Sequence, residues 1–376
     1  MNNNHSRKCV LHIGITKTGS TTIQEFLFNH LDDERFHYAH CGARNSGQAL
    51  YHAFDRHASS IDKYKVRRYT EEQLLEKQEA NRKMFREHIE GNPDKTIIIS
   101  AEALSTFNPD GLKEFIDFLR PYFDNIQVVG YVRDPRTHME SAFQQRLKRT
   151  SMKKLKVIQF SPKYQDILEK YERLVGRKNM RIWRFDQKTF PDGDVVFHFC
   201  EQLGIRPPAQ RVASLNQRLS DNAISLFYTM RYRYRAPETG PRARKSATLL
   251  KEKLWQLEGK RLRFHPDLYY PAVQANKDQI DWLKEHFGID FHQDPNALEE
   301  SGVKSKRQIM TYSDETLEWL AGELGGKRYL KLFPLTPAVL LKAIVNFFTR
   351  SLRPATRGNI AVDVRRLKES LVAEED

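Results

Sequence analysis

The segment Leu11–Gln24, LHIGITKTGSTTIQ, places Lys17, Gly14, Gly19 and the hydroxyls of Thr18, Ser20, Thr21 and Thr22 between an apolar run and a helix start. A strand that enters a glycine-punctuated turn and then a helix aims backbone N–H groups and a helix N-terminus at an anion. A nucleoside-triphosphate loop reads GxxxxGK[ST], with lysine directly after the second glycine. Gly14 and Gly19 keep that spacing, but Ser20 stands where the lysine belongs and the lysine sits inside the turn as Lys17. Such a loop can cradle a phosphate while its cation reaches a different oxygen, and no magnesium ligand is implied. The plain alternative is a strand–turn–helix with capping hydroxyls.

A second segment, Val128–Arg146 (VVGYVRDPRTHMESAFQQR), closes an apolar run with Arg133. Asp134 suits an N-cap and Pro135 the first helical position. In open α/β sheets ligands sit beyond the carboxyl ends of the strands, so Arg133 is expected on the same rim as Lys17. Ser141 follows eight residues after Arg133. A guanidinium fork with a serine hydroxyl suits a phosphate monoester. Taken alone, Arg133 could equally pair with a carboxylate at the sheet edge.

The elements that must position these residues alternate. Cys9–Ile15, Thr96–Ser100, Ile126–Val132 and Met180–Phe185 read as strands. Thr21–Leu31, Glu71–Glu90, Asp110–Phe123 and Asp194–Leu203 read as helices, with Tyr38–Tyr69 a long polar segment. Short continuous apolar runs are strands buried on both faces, so the pattern predicts an α/β fold. Its form is a doubly wound central parallel sheet of P-loop-like type, with helices on both faces and a helical C-terminal extension. The α/β domain is expected over 1–325, helical insertions included, and the extension over 326–376. Asp278–Phe287 and Thr336–Phe348 read as further amphipathic helices. Arg231–Lys245, with Pro237, Gly240 and Pro241, reads as an irregular basic loop, either a lid over an acidic acceptor or a solvated loop.

Composition narrows the classes. Of 376 residues, 39% are hydrophobic and 11% aromatic, which excludes a disordered chain. Lys and Arg exceed Asp and Glu by 14, a balance suited to polyanionic partners. Cys9, Cys41 and Cys200 lie far apart, which excludes a disulfide scaffold and a cysteine zinc site. No export signal or membrane-spanning run is apparent, and the expected location is cytoplasmic.

Together the two motifs resemble the sulfotransferases that use 3′-phosphoadenosine 5′-phosphosulfate (PAPS). The family's 5′-phosphosulfate loop is matched by Lys17-Thr18-Gly19-Ser20-Thr21, and its 3′-phosphate motif by Arg133 and Ser141. His12 to Gln24 is similar to the HIGxxKTGTT style of the bacterial branch, and the resemblance covers Cys9 to about Ile205. Thr22 stands where many eukaryotic members carry an aromatic, and their late RKG segment is absent. Arg218, within Asn216–Ser220, is a substitute for that segment or a solvated residue at a helix start.

The resemblance implies sulfuryl transfer from PAPS to a hydroxyl acceptor with no metal required, Lys17 acting at the leaving oxygen. It also implies a base just past a central strand or in the helix after the loop. Glu102, directly after Thr96–Ser100, is the leading candidate, its plain alternative being a first-turn glutamate that complements a helix dipole. Glu25, His40 and His52 are its rivals, while His12, within the first strand, reads as structural. A glycan, a lipid-linked sugar or a small alcohol fits as acceptor, with carbohydrate or glycolipid leading; a lipid-linked acceptor would bring peripheral membrane contact. A P-loop kinase is weakened by the displaced lysine. A nucleic-acid-binding protein draws only on the Arg/Tyr interleaving of 231–245.

Overall fold

The computed structural model describes residues 6–55, 70–149, 155–212, 218–233, 252–294 and 298–323. The expected extension 326–376, the helix expected at 336–348 and the basic stretch from 234 onward lie outside the described residues. In chain order the elements begin with β1 (Lys8–Ile13), α1 (Ser20–Asn29), β2 (Phe36–Tyr38), α2 (Gly47–Phe54), α3 (Glu71–Glu90) and β3 (Thr96–Ala101). They continue with α4 (Pro109–Leu119), β4 (Asn125–Val132), α5 (Pro135–Arg149), α6 (Tyr164–Val175), β5 (Met180–Arg184) and α7 (Val195–Leu203). The later helices are α8 (Asp221–Arg233), α9 (Pro266–Gln274), α10 (Lys277–Phe287), α11 (Lys306–Ile309) and α12 (Asp314–Glu323).

The chain divides into two compact units, the first made of 1–138, 161–216 and 275–293. Its described residues form a five-stranded sheet of order β2-β3-β1-β4-β5, every neighbouring pair parallel. This is the doubly wound α/β fold that the alternating pattern predicts. One face is lined by Val10, Ile98, Val129 and Tyr131, which pack with Ile23, Phe26 and Leu27 of α1 and Val195, Val196 and Phe199 of α7. Residues of the opposite parity, Cys9, Leu11, Ile97, Ile99 and Val128, are fully buried too. A sheet hidden on both faces needs apolar residues at successive positions, which is why its strands read as unbroken runs.

Register places the site. Ile13 pairs with Ala101 on one side and Gly130 on the other, so β1 and β3 end level while β4 runs two residues further. The chain leaves β1 for one half of the sheet and returns to the other half at β4, which makes β1 the topological switch point.

Two elements depart from the sequence reading. The segment 38–69, expected to be polar throughout, contains the end of β2 and all of α2, whose Leu50, Ala53 and Phe54 are fully buried. Three residues of β2 are too few to show a period, and its pairing with Thr96–Ile98 supplies what local sequence does not. Arg231–Arg233, assigned to an irregular loop, form the last turn of α8. Arg and Tyr are tolerated in helices, and the nearest breaker, Pro237, lies further on.

The second unit is built from 139–160, 217–274 and the chain after 293. Its aromatic core centres on Phe143, whose ring meets those of Phe264, Tyr228 and Phe160 at 5.5, 5.8 and 6.0 Å. Glu140, 1% exposed, accepts hydrogen bonds from the Phe264 amide (3.1 Å) and Arg261 (3.2 Å), so its buried charge is compensated. Among the described residues no helix is long and apolar enough to cross a membrane.

The central strand pair leaves no room at Gly130, where an added Cβ would lie 2.8 Å from Ile13 Cγ1 and 3.2 Å from the Ile13 carbonyl oxygen. Gly130→Ala is therefore expected to lower the unfolding free energy by about 1–3 kcal/mol, the usual cost of overpacking. Urea denaturation reads this directly; an unchanged midpoint would mean that the β1–β4 ladder yields at no cost.

Candidate anion-binding site

The loop after β1 is shaped by two close approaches and two left-handed residues. Gly14 donates its amide to the Ala101 carbonyl at 3.0 Å, extending the ladder one residue beyond the strand. A Cβ at this position would lie 3.1 Å from both the backbone N and Cα of Glu102. Glycine thus lets the residue after β3 lie directly against the first residue of the loop. Thr18 donates its hydroxyl to the Ile15 carbonyl at 2.5 Å, closing the turn.

Lys17 has φ 72° and Gly19 φ 77°. Glycine enters this region freely, but a side-chain-bearing residue does so at a cost of about 1–2 kcal/mol. At Gly19 space is limiting too, since a Cβ would meet Val195 at 3.0 Å and Phe185 at 3.2 Å. Gly19 is the N-cap of α1 and no side chain caps that helix. Thr70, Asn108 and Asp194, by contrast, cap α3, α4 and α7 with side-chain oxygens. Ser20, 4% exposed, has a buried hydroxyl with no hydrogen-bond partner. An orphaned buried hydroxyl at an uncapped helix N-terminus has the chemistry to receive an oxyanion.

Arg133 ends up beside this loop. It is 5% exposed and donates from Nη1 to the Lys17 carbonyl at 3.0 Å and from Nε to Thr137 Oγ1 at 3.0 Å. Its guanidinium carbon lies 5.6 Å from the centroid of the Phe185 ring. Its backbone amide donates to the Tyr164 hydroxyl at 3.0 Å, and that hydroxyl donates back to the Arg133 carbonyl. Asp134 caps α5 by accepting from the Thr137 amide at 3.0 Å, and Pro135 is its first residue, as the sequence predicts.

Glu102 is half-buried and immediately precedes the 3₁₀ turn Ala103–Ser105. That turn is held from α6. Tyr171 donates its hydroxyl to the Leu104 carbonyl at 2.6 Å, and Lys170 donates to the Ser105 and Phe107 carbonyls at 3.2 and 2.8 Å. Burial pulls the Lys170 ammonium down to about 8.

The other candidates are placed as follows. Glu25 is tied to Arg44 and accepts from Asn29 at 2.6 Å, and these bonds hold its carboxyl below the usual range. His40 packs on Phe28 and His88 with ring centroids 4.8 Å away in each case, and burial followed by His88 lowers its pKa. His52 is buried within α2. His12 is fully buried in β1, bonded through Nδ1 to Ser100 Oγ at 2.7 Å and pushed down to about 3 by burial. Thr18 and Thr22 are buried and Thr21 is half-buried. Ser141 lies in the second turn of α5, and Arg218 just before α8, both within the second unit. Arg218 neighbours Arg261 and Glu140; desolvation, then Arg261, lowers its pKa, with Glu140 opposing.

One site residue escaped the sequence reading. His138, 7% exposed in the first turn of α5, has an Nδ1 that is buried without a hydrogen-bond partner. Burial, then Arg133 and then Lys17, hold its pKa down to about 4. Its place five residues after Arg133, on the helix that Asp134 caps, was the available signal. Among the described residues no group of three or more His, Cys, Asp or Glu side chains is arranged to hold a metal ion.

No protein-family model matches the chain. An uncharacterized protein of Archaeoglobus fulgidus is 29% identical over 138 residues, a match that covers 36% of this chain and 37% of that protein. The match therefore spans little more than a third of the relative's length. The crystal structure of a sulfotransferase from Alicyclobacillus acidocaldarius is similar over 60% of this chain and 94% of that one, with 14% sequence identity and a TM-score of 0.34.

Proposed function

We propose that this chain is a cytoplasmic sulfotransferase that uses PAPS and transfers a sulfuryl group to a hydroxyl, with a carbohydrate as the leading acceptor. The observation that carries the reading is the buried, unpartnered Ser20 hydroxyl at the uncapped start of α1, next to a lysine in a left-handed conformation. Backbone strain of this kind, over-determined by its surroundings, accompanies ligand-binding turns. The carbohydrate assignment rests on the bacterial style of the loop motif.

When bound, the nucleotide supplies an activated sulfuryl group and a 3′-phosphate. The α1 amides, with Thr18, Ser20, Thr21 and Thr22, receive the 5′ end at the Gly19 turn. The Lys17 ammonium offsets charge on the oxygen from which the sulfuryl group departs, an interaction strongest in the transition state. Arg133 holds the 3′-phosphate, a role that the motif resemblance also gives to Ser141, with Arg218 as a substitute for the family's late basic segment. Glu102 removes the acceptor proton, and its support is its position against Gly14, beside the loop.

Calorimetry tests the nucleotide assignment. The chain is expected to bind 3′-phosphoadenosine 5′-phosphate more tightly than ATP, because only the former presents a 3′-phosphate to Arg133. Equal or tighter binding of ATP would overturn the assignment.

Lys17→Gly separates strain from chemistry. Glycine relieves the left-handed backbone, so thermal unfolding is expected to hold steady or rise slightly. Turnover with labelled PAPS is expected to fall roughly 10²-fold, as when one oxyanion donor is lost. A variant that raised only the Michaelis constant would make Lys17 a binding residue alone.

Glu102→Gln keeps the shape and removes the base. Nucleotide affinity is expected to survive while transfer drops by roughly 10²-fold or more. Near-normal transfer would move the base to His40, His52 or Glu25.

A further inference from the structure

Arg133 donates to the Lys17 carbonyl at 3.0 Å, and the charges of both residues act on a third group, the imidazole of His138. Its amide donates to the Asp134 carbonyl at 2.9 Å, which fixes the residue in the first turn of α5. The ring stands edge-on to Tyr164 of α6, with centroids 6.3 Å apart. The Asp134 carboxylate is committed to the Thr137 amide and to Gln293, at 3.0 and 3.2 Å. The groups around His138 are thus Lys17 after β1, Arg133 after β4, Asp134 at the start of α5 and Tyr164 on α6. Nδ1 is buried and meets no acceptor or donor among them. A buried polar nitrogen left unpaired is costly and uncommon enough to require a cause.

We propose that His138 is a direct ligand of the phosphate or sulfate oxygens that Lys17 and Arg133 attract, and that it takes up a proton when that anion binds. This rests on the anion-site reading above. In the ligand-free chain a third positive charge beside two cations, out of water, is unfavourable, and burial with Arg133 and Lys17 keeps the imidazole neutral. An arriving dianion offsets the charges of Arg133 and Lys17 and offers Nδ1 an acceptor, so the protonated imidazole gains an ionic partner that compensates for its burial. A shift of basicity on binding is by linkage a pH dependence of affinity. The anion should bind more tightly as pH falls from near neutral, until His138 is protonated in the free chain as well.

Inorganic sulfate is the cleanest probe, because it stays dianionic across this pH range. Titration calorimetry of the full chain in buffers of different ionisation enthalpy is expected to show uptake of about half to one proton per sulfate near pH 6. Affinity is expected to fall with rising pH, by at most about tenfold per unit, the limit for one linked proton. His138→Gln should bind sulfate with neither uptake nor pH dependence. Displacement of sulfate by 3′-phosphoadenosine 5′-phosphate at fixed pH would assign the oxygens to a nucleotide; failure to displace would assign them to a free anion. Sulfate binding without proton uptake overturns the inference while leaving the anion site standing. No sulfate binding to the wild-type chain overturns the anion site and the inference together. Should His138→Gln fail to fold, the wild-type buffer series decides alone.

Discussion

The bond from the Arg133 guanidinium to the Lys17 carbonyl joins the end of β4 to the strained residue in the loop after β1. A left-handed conformation costs a lysine about 1–2 kcal/mol. A hydrogen bond to a charged donor contributes about 1.5–3 kcal/mol, so this single contact is of the size needed to hold the turn. The same guanidinium is fixed by Thr137 and lies near the Phe185 ring. Loop and arginine therefore constrain each other, and neither can be displaced without releasing the other.

Helix α6 extends this constraint to the rest of the rim. At its start, the Tyr164 hydroxyl holds both backbone groups of Arg133. Two turns later, Lys170 and Tyr171 hold the carbonyls of the turn that follows Glu102. Residues seven apart on a helix share a face and stand about 10 Å from each other. One rigid element thus sets both the arginine after β4 and the glutamate after β3, while Gly14 allows that glutamate's backbone to reach the loop.

Much of this was legible in the sequence and some was not, for physical reasons. β1, β3 and β4 announce themselves because strands buried on both faces need several apolar residues in a row. The loop motif and Asp134–Pro135 are local signals, read from neighbours in the chain. β2 is too short to carry a period, and its place beside β3 depends on residues some sixty positions away. α2 hides its few buried residues in a polar stretch. His138 shares a helix start with Arg133 in the sequence, a weak signal; burial, the missing partner for Nδ1 and the nearby cations are what mark it as a site residue. The approach of Glu102 to Gly14 arises from strand register and has no local sequence signal.

The sheet's two outer strands differ from its inner ones. β2 offers an outer ladder of only three residues. β5 carries exposed Arg181 and Arg184, which reach the carbonyls of Gln202 and Asp290, each at 3.4 Å. A parallel sheet this rich in isoleucine and valine would otherwise be an inviting template for a strand from another molecule. Brevity on one side and fixed positive charge on the other oppose such recruitment. Two charged residues and one short strand thus guard against fibrous association in a fold whose inner strands are well suited to it.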